Sequence, residues 1–408
     1  MIRVAGEFSP VSHPCHNTVT PRAYYDSMAK GSVQRKGSVW SFVVDLGPDP
    51  ATGRRRQARR SGFATKKEAE VALRAVAAAS DAGTAVSRSR VTVAVFLTEW
   101  LETMRPRIRE TTWVSYEMAA NRISRQIGAV PLQALTPLQV ESLYATLLAS
   151  GGAGGRSLAP KTVRNCHIVL RRALADAERL GLVSRNPAAA ARAVAAPRAE
   201  QRTWSSEEIQ RFFEALAGER LSMAFVLLAT TGMRRGELLG LRWEDVDFDG
   251  RALSIVQTFT TVRGEKHIGP PKTGKSRRRV SIDGVTLDAL KAHRKQQRVE
   301  RIAAADVWSN EGDLVFTDEF GEPVHPNRFS QNFDRIVRDA ELPRIRLHDL
   351  RHSYASLALK AGVHPKIVSE RLGHSTIAIT LDLYSHVAQG LDADAAELIA
   401  SRIYGPSK

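Results

Sequence analysis

The sequence predicts a multidomain chain. It reads as a small β-sheet-plus-helix module at residues 31–80, an all-α domain at 92–190, and an α+β, mainly helical domain with a small antiparallel sheet at 203–404. Three observations predict this. The 408 residues exceed one average domain and suggest about three. The hydrophobic period is two near Trp40 and becomes helical from Val95 onward. Two stretches of polar or small residues, 81–91 and 188–199, separate the patterned segments and read as linkers.

Residues 1–30 carry Pro10, Pro14 and Pro21 without apolar pattern, and disorder is expected there. Met28 stands just before the first patterned segment, so an initiation codon at that position is one expectation. The first residues lack the apolar stretch of a signal peptide. In the module that follows, Trp40, Phe42, Val44 and Leu46 alternate with Ser41, Val43 and Asp45, as in a half-buried strand. A turn-rich Gly47-Pro48-Asp49-Pro50-Ala51-Thr52-Gly53 leads to a second, basic strand with Arg54, Arg55, Arg56, Arg59 and Arg60. Thr65-Lys66-Lys67-Glu68 is a capping box opening a helix through Ala69, Leu73 and Ala77. Ten Lys/Arg against four Asp/Glu between residues 31 and 74 leave a charge of +6. Such a hairpin is either simply solvated or fitted to a DNA major groove, and composition favours DNA.

The helical region has one amphipathic stretch at Val95, Phe96, Trp100 and Leu101, and another at Trp113, Tyr116, Ala120 and Ile123. Thr136-Pro137 places an N-cap before proline at the first helical position. Gly151 to Gly155 reads as a loop, and Thr162 to Leu180 as a last helix on which Lys161 and Arg164 are candidate DNA contacts. In the third domain a β section is expected around Leu253 to Ile282.

Whole-chain charge narrows the partner. Lys plus Arg number 59 against 43 Asp plus Glu, a net +16, which favours a polyanion because basic side chains neutralise phosphates and release counterions. A basic enzyme without nucleic acid is the bland alternative. Cys15 and Cys166 lie far apart without ligand spacing, so neither a disulfide framework nor a metal site is expected. No run approaches the ~20 apolar residues of a membrane span, and the cytoplasm is the expected compartment.

Four segments of the last domain carry chemistry together. Thr231-Gly232-Met233-Arg234-Arg235-Gly236-Glu237 reads as a glycine-tightened helix start with Arg234 and Glu237 on one face. Pro271-Lys272-Thr273-Gly274-Lys275-Ser276-Arg277 reads as a turn between strands. His348-Asp349-Leu350-Arg351 puts His348 and Arg351 on one helical face. Leu372-Gly373-His374 precedes Tyr384 by ten residues. Each alone is weak: an H-x-x-R quartet is usually a surface pair, and a tyrosine near a C-terminus is usually core or surface. The ordered set is much more specific.

That set, with Leu347-His348-Asp349-Leu350-Arg351-His352-Ser353, Leu372-Gly373-His374-Ser375 and Leu381-Asp382-Leu383-Tyr384-Ser385-His386, closely resembles the tyrosine recombinase or phage integrase family. The resemblance covers about residues 31–390. It implies an arm-type DNA-binding module at 31–80, a helical core-binding domain at 92–190 and a catalytic domain at 203–404, the last two closing on duplex DNA as a clamp. A phosphodiester resists anionic attack, so fixed positive charge must meet the charge that develops in the transition state. Arg234 and Arg351 are the implied clamp, since a guanidinium is always charged and forks toward two oxygens; His374 adds a donor. Tyr384 is the implied nucleophile, giving a 3′-phosphotyrosyl intermediate that needs no ATP. His348 is the candidate base and Lys272 the candidate acid for the leaving 5′-oxygen. Glu237 is expected to orient Arg234, and Asp349 to support Arg351. No cofactor and no metal are expected. The expected partners are double-stranded DNA attachment sites, three further copies in a homotetramer on DNA, and a possible DNA-bending protein and excision factor. A Xer-like chromosome-resolving recombinase, a strand-relaxing topoisomerase and a non-catalytic DNA-binding relative are the alternatives. The basic module argues against the first, and the filled catalytic positions against the last.

Overall fold

The computed structural model describes residues 31–48, 53, 55–81, 89–197, 202–271, 276–310, 312–381 and 399–405. They belong to two compact units divided between Pro197 and Arg198. The expectations for residues 1–30 and for most of the 81–91 linker lie outside the described residues.

The first unit begins with an antiparallel sheet of β1 (Gly31–Lys36), β2 (Val39–Pro48) and β3 (Arg55–Phe63), in that order, followed by α1 (Lys66–Asp81). β1 is not anticipated from sequence, because Gly31-Ser32-Val33-Gln34-Arg35-Lys36 has one apolar residue and no alternation. It forms because Gly37, at φ 65°, turns the chain back and pairs Lys36 with Val39. Paired residues share a face, so Phe42 and Val44 lie with Arg60 and Ala58, while Val43 and Asp45 lie with Arg59 and Gln57. α1 covers the Phe42 face: a Cβ added at Gly31, which pairs with Val44, would stand 2.7 Å from Leu73 Cδ1. At the start of α1, Thr65 Oγ1 accepts from the Glu68 amide at 3.2 Å. The Glu68 carboxylate reaches the Ala64 amide at 3.1 Å, one residue beyond the amide a capping box would satisfy.

Five helices complete this unit: α2 (Val93–Met104), α3 (Glu110–Ile127), α4 (Pro137–Ser150), α5 (Pro160–Arg179) and α6 (Pro187–Ala190). Thr136 and Gln139 form a reciprocal capping box with Pro137 at the first helical position. Phe96, Trp100, Ile123, Leu143 and Leu170 share one core. Val95 departs from expectation: it is 47% exposed, and Leu97 packs inward in its place, because Phe96, Leu97, Trp100, Leu101 and Met104 form the buried stripe. The buried polar groups find partners. Trp100 Nε1 donates to Asp176 at 2.9 Å, and the Tyr144 hydroxyl lies 2.8 Å from His167 Nδ1. The expected linker at 188–199 starts later than its alanines suggest, since Ala188 and Ala191 are buried in the helical core under the Asn186 cap.

The second unit opens with α7 (Ser206–Ala215), α8 (Ser222–Thr231) and α9 (Arg235–Leu239). The strands follow: β4 (Val246–Asp247), β5 (Ala252–Ile255), β6 (Thr258–Val262), β7 (Glu265–Gly269) and β8 (Arg278–Ser281). Then come α10 (Gly284–Ala304), α11 (Pro326–Asp339), α12 (Asp349–Lys360) and α13 (Pro365–Leu372). β4, β5 and β8 make one antiparallel sheet, and β6 and β7 a hairpin. The β section is therefore where the sequence placed it, starting slightly earlier. Residues 399–404 are helical. Among the described residues no helix is long and apolar enough to cross a membrane.

An aromatic cluster holds this unit together. Trp204 packs on Phe212 and Phe333, and Phe225 stacks on Phe329 with ring centroids 4.5 Å apart. Trp204 also ties α7 to distant segments: its amide donates to Ser353 Oγ at 2.9 Å and its indole to the Pro343 carbonyl at 2.8 Å. Trp204→Ala should therefore destabilise this unit by about 3–5 kcal/mol, the usual cost of emptying a large aromatic site. Urea unfolding checks this; a loss below ~1 kcal/mol would show that the cluster closes around the gap.

Candidate functional site

Two left-handed glycines shape the site. Gly232 (φ 65°) ends α8, and Gly373 (φ 66°) ends α13. Gly232 thus closes a helix rather than starting one, contrary to expectation; its neighbours leave no room for a side chain. A Cβ there would lie 2.4 Å from Leu372 Cδ2 and 2.7 Å from Tyr354 Cδ1. The turn after Gly232 delivers Arg234 to the N-cap of α9, where Glu237 clasps it twice. The Arg234 amide donates to Glu237 Oε2 at 3.0 Å, and Arg234 Nη1 donates to Oε1 at 2.7 Å. Arg235 points elsewhere, to the Pro326 carbonyl (3.0 Å) and Ser330 Oγ (2.7 Å) at the start of α11.

α12 supplies the second arginine. His348 is at its N-cap and Arg351 lies three residues on. Arg351 is 3% exposed, so its charge must be held by protein dipoles. Nη1 donates to the Gly232 carbonyl at 2.7 Å and Nη2 to the Leu372 carbonyl at 2.6 Å. Arg234 Nη2 donates to the next carbonyl, Gly373, at 2.9 Å. The two arginines and His374 therefore meet at one turn. A cleft of about 510 Å³ opens beside Arg234, His348 and Arg351.

Sequence reasoning missed one residue of this cluster. Arg278 on β8 donates through Nη2 to Glu237 Oε2 at 2.9 Å, through Nη1 to Oε1 at 3.2 Å, and through Nε to the Arg371 carbonyl at 2.6 Å. The signal was a period of two: Val280 is buried on β8, so Arg278 shares its inward face, while Arg279 is exposed. One expected support is corrected. Asp349 does not hold Arg351; its carboxylate accepts from the Arg346 amide at 2.8 Å and from Arg346 Nη2 at 2.7 Å, closing the turn that precedes α12.

Burial and clustered cations set the protonation states. Burial opposes ionisation of Glu237, but Arg278 and Arg234 outweigh it and hold the carboxyl below its ordinary value. Burial, aided by Arg234 and Arg278 and opposed by Glu237, lowers Arg351 to about 9, still a cation at neutral pH. His348 is pressed down to about 4 by burial, then by His352 and Arg351, with Asp349 opposing. His374 falls to about 4 by burial, then by Arg351 and Arg234. Both imidazoles are neutral at physiological pH. His374 Nδ1 lies 2.8 Å from Thr380 Oγ1; when that hydroxyl donates, the ring proton sits on Nε2.

Of the remaining candidates, Lys272, Tyr384 and Arg54 lie outside the described residues, as does the side chain of Arg56. Arg55 is exposed and paired with Asp45 at 2.6 Å. Arg59, Arg60, Lys161 and Arg164 are exposed.

Residues 202–390 match the phage integrase family, residues 32–79 an arm DNA-binding domain, and residues 92–148 a phage integrase N-terminal SAM-like domain. The chain is 32% identical over 355 residues to a protein named tyrosine recombinase XerC-like from Caldanaerobacter subterraneus subsp. tengcongensis, covering 82% of this chain and 89% of that one. Its fold is similar to that of the Tn1549 transposon integrase in complex with transposon right end DNA, with a TM-score of 0.64 at 21% identity over 77% of this chain and 99% of that one. It is also similar to a lambda integrase tetramer bound to a Holliday junction, with a TM-score of 0.54 at 18% identity over 88% and 95% of the two chains. The chain belongs to the phage integrase family of tyrosine recombinases, enzymes that cleave and rejoin DNA in site-specific recombination.

Proposed function

We propose that this chain integrates and excises a phage or mobile element by cutting each DNA strand with Tyr384. The observation that carries the reading is the meeting of Arg234, Arg351 and His374 at one turn, with the neutral imidazole of His348 three residues before Arg351. The Tyr384 hydroxyl attacks phosphorus as its proton passes to His348. A 3′-phosphotyrosyl bond forms, the bond to the 5′-oxygen breaks, and Lys272 protonates that oxygen. Arg234 and Arg351 meet the charge developing on the non-bridging oxygens, and His374 Nε2–H adds a donor. Reversal on a new 5′-hydroxyl rejoins the strand.

Duplex DNA attachment sites as substrate fit the net charge of +16 and the DNA in the related structures. The arm role of residues 31–80 is supported by Arg59 on the sheet face opposite α1, the core-binding role of 92–190 by exposed Lys161 and Arg164, and the catalytic role of 203–404 by the site itself. A tetramer on DNA follows the lambda relative, and cytoplasmic action, a DNA-bending protein and an excision factor complete the reading.

On a nicked suicide substrate, Tyr384→Phe should bind DNA yet give no covalent adduct; a persisting adduct would move the nucleophile elsewhere. Arg234→Ala and Arg351→Ala should each slow adduct formation by about 10²–10³-fold, the usual loss of one transition-state donor, with smaller effects on the Kd for a core site. Because His348 and His374 titrate at about 4, kcat/KM should stay flat as pH falls from neutrality and drop only on approach to that value. A midpoint near the ordinary histidine value of about 6.5 would contradict this. Arg59→Ala with Arg60→Ala should lower the salt slope of arm-site binding by roughly one for each phosphate no longer neutralised and leave core-site cleavage unchanged.

A further inference from the structure

We propose that Arg278 is a positioning residue for recombination, holding Arg234 and the His374 turn in register with each other. The proposal rests on the reading that Arg234 and His374 act on the scissile phosphate. Four observations carry it. The Arg278 side chain is 6% exposed, too buried to meet DNA as a surface cation. Its Nη atoms grip both oxygens of the Glu237 carboxylate, at 3.2 and 2.9 Å, while Glu237 Oε1 also holds Arg234 Nη1. Its Nε donates to the Arg371 carbonyl at 2.6 Å, three residues before His374. A Cβ at Gly373 would stand 3.1 Å from Arg278 Nη1, so the left-handed turn that carries His374 rests against the guanidinium.

The geometry gives Arg278 two tasks. Glu237 is 1% exposed, and its charge needs compensation. With Arg278 sharing the carboxylate, Arg234 is oriented by Glu237 without being its sole counter-ion, and positive charge on Arg234 remains for a phosphate. At the same time one planar fork links a carboxylate from α9 to a carbonyl at the end of α13, so those elements cannot shift independently. A lysine keeps the charge but cannot make both contacts in that plane.

The test uses Arg278→Lys and Arg278→Gln, each alone and combined with Arg234→Lys, in the full chain. Single-turnover adduct formation on a nicked core-site duplex, the Kd for that duplex and thermal melting are measured. Both single variants should form adduct about 10²-fold more slowly, the scale expected when reacting groups are misplaced by about 1 Å, with Kd changed less than about threefold. In the Arg234→Lys background the loss from either variant should be much smaller than in the wild-type background, because both changes disturb one unit. Should Arg278→Gln fail to fold, Arg278→Lys carries the test. Wild-type rates in Arg278→Lys, or losses that multiply independently with Arg234→Lys, would overturn the proposal. If Arg234→Lys alone reacts at the wild-type rate, the underlying assignment of Arg234 fails instead.

Discussion

Three consecutive backbone carbonyls at the end of α13 each accept a hydrogen bond from a different arginine: Arg371 from Arg278, Leu372 from Arg351, and Gly373 from Arg234. The last carbonyls of a helix have no partner within it and carry the negative end of its dipole. Guanidiniums are suited to that end, being planar, multidentate and charged. Here they come from β8, α12 and the N-cap of α9, elements far apart in sequence. The helix end therefore collects the cations of the site, and the residue after it is His374.

Collecting three cations in one place, with Arg278 and Arg351 buried, carries an electrostatic cost. Glu237, almost wholly buried, offsets part of it, and the remaining positive charge is what an anionic substrate would meet. The two imidazoles register the same field. Burial and neighbouring guanidiniums hold both at about 4, so His348 and His374 stay neutral, as the roles proposed for them require. The same burial that makes the arginines expensive thus sets the acid–base properties of their neighbours.

Gly232 and Gly373 are the backbone counterpart of this arrangement. Both take positive φ at helix ends, and both are closely approached, Gly232 by Leu372 and Tyr354, Gly373 by Arg278. A side chain at Gly232 would push α8 away from α12 and α13, and one at Gly373 would press on the Arg278 guanidinium; either would disturb the carbonyls on which Arg234 and Arg351 rest. The site is a packing solution as much as a set of reactive groups.

Much of this was legible in the sequence. Periodicity located the helices of residues 92–190, because an amphipathic stripe is a local property, and the Thr136-Pro137 start was visible from its local capping signal. Arg234, Glu237, His348, Arg351 and His374 could be picked out by order and spacing. What sequence could not supply was the pairing of distant residues. β1 has no pattern of its own and exists because β2 offers it a partner. Asp349 lies two residues from the Arg351 it was expected to support, yet its carboxylate turns back to the Arg346 amide and guanidinium, while Arg351 is held by the Gly232 and Leu372 carbonyls, which come from elements distant in sequence. Arg278, in a run of three arginines, resembles a surface charge until β8 is paired with β5 and its inward face is fixed. Sequence by itself determined the helices, the reactive residue types and their order. Only tertiary structure decided which arginine is buried, which carboxylate it meets and which turn it holds, because those choices depend on elements that meet only after the chain has folded.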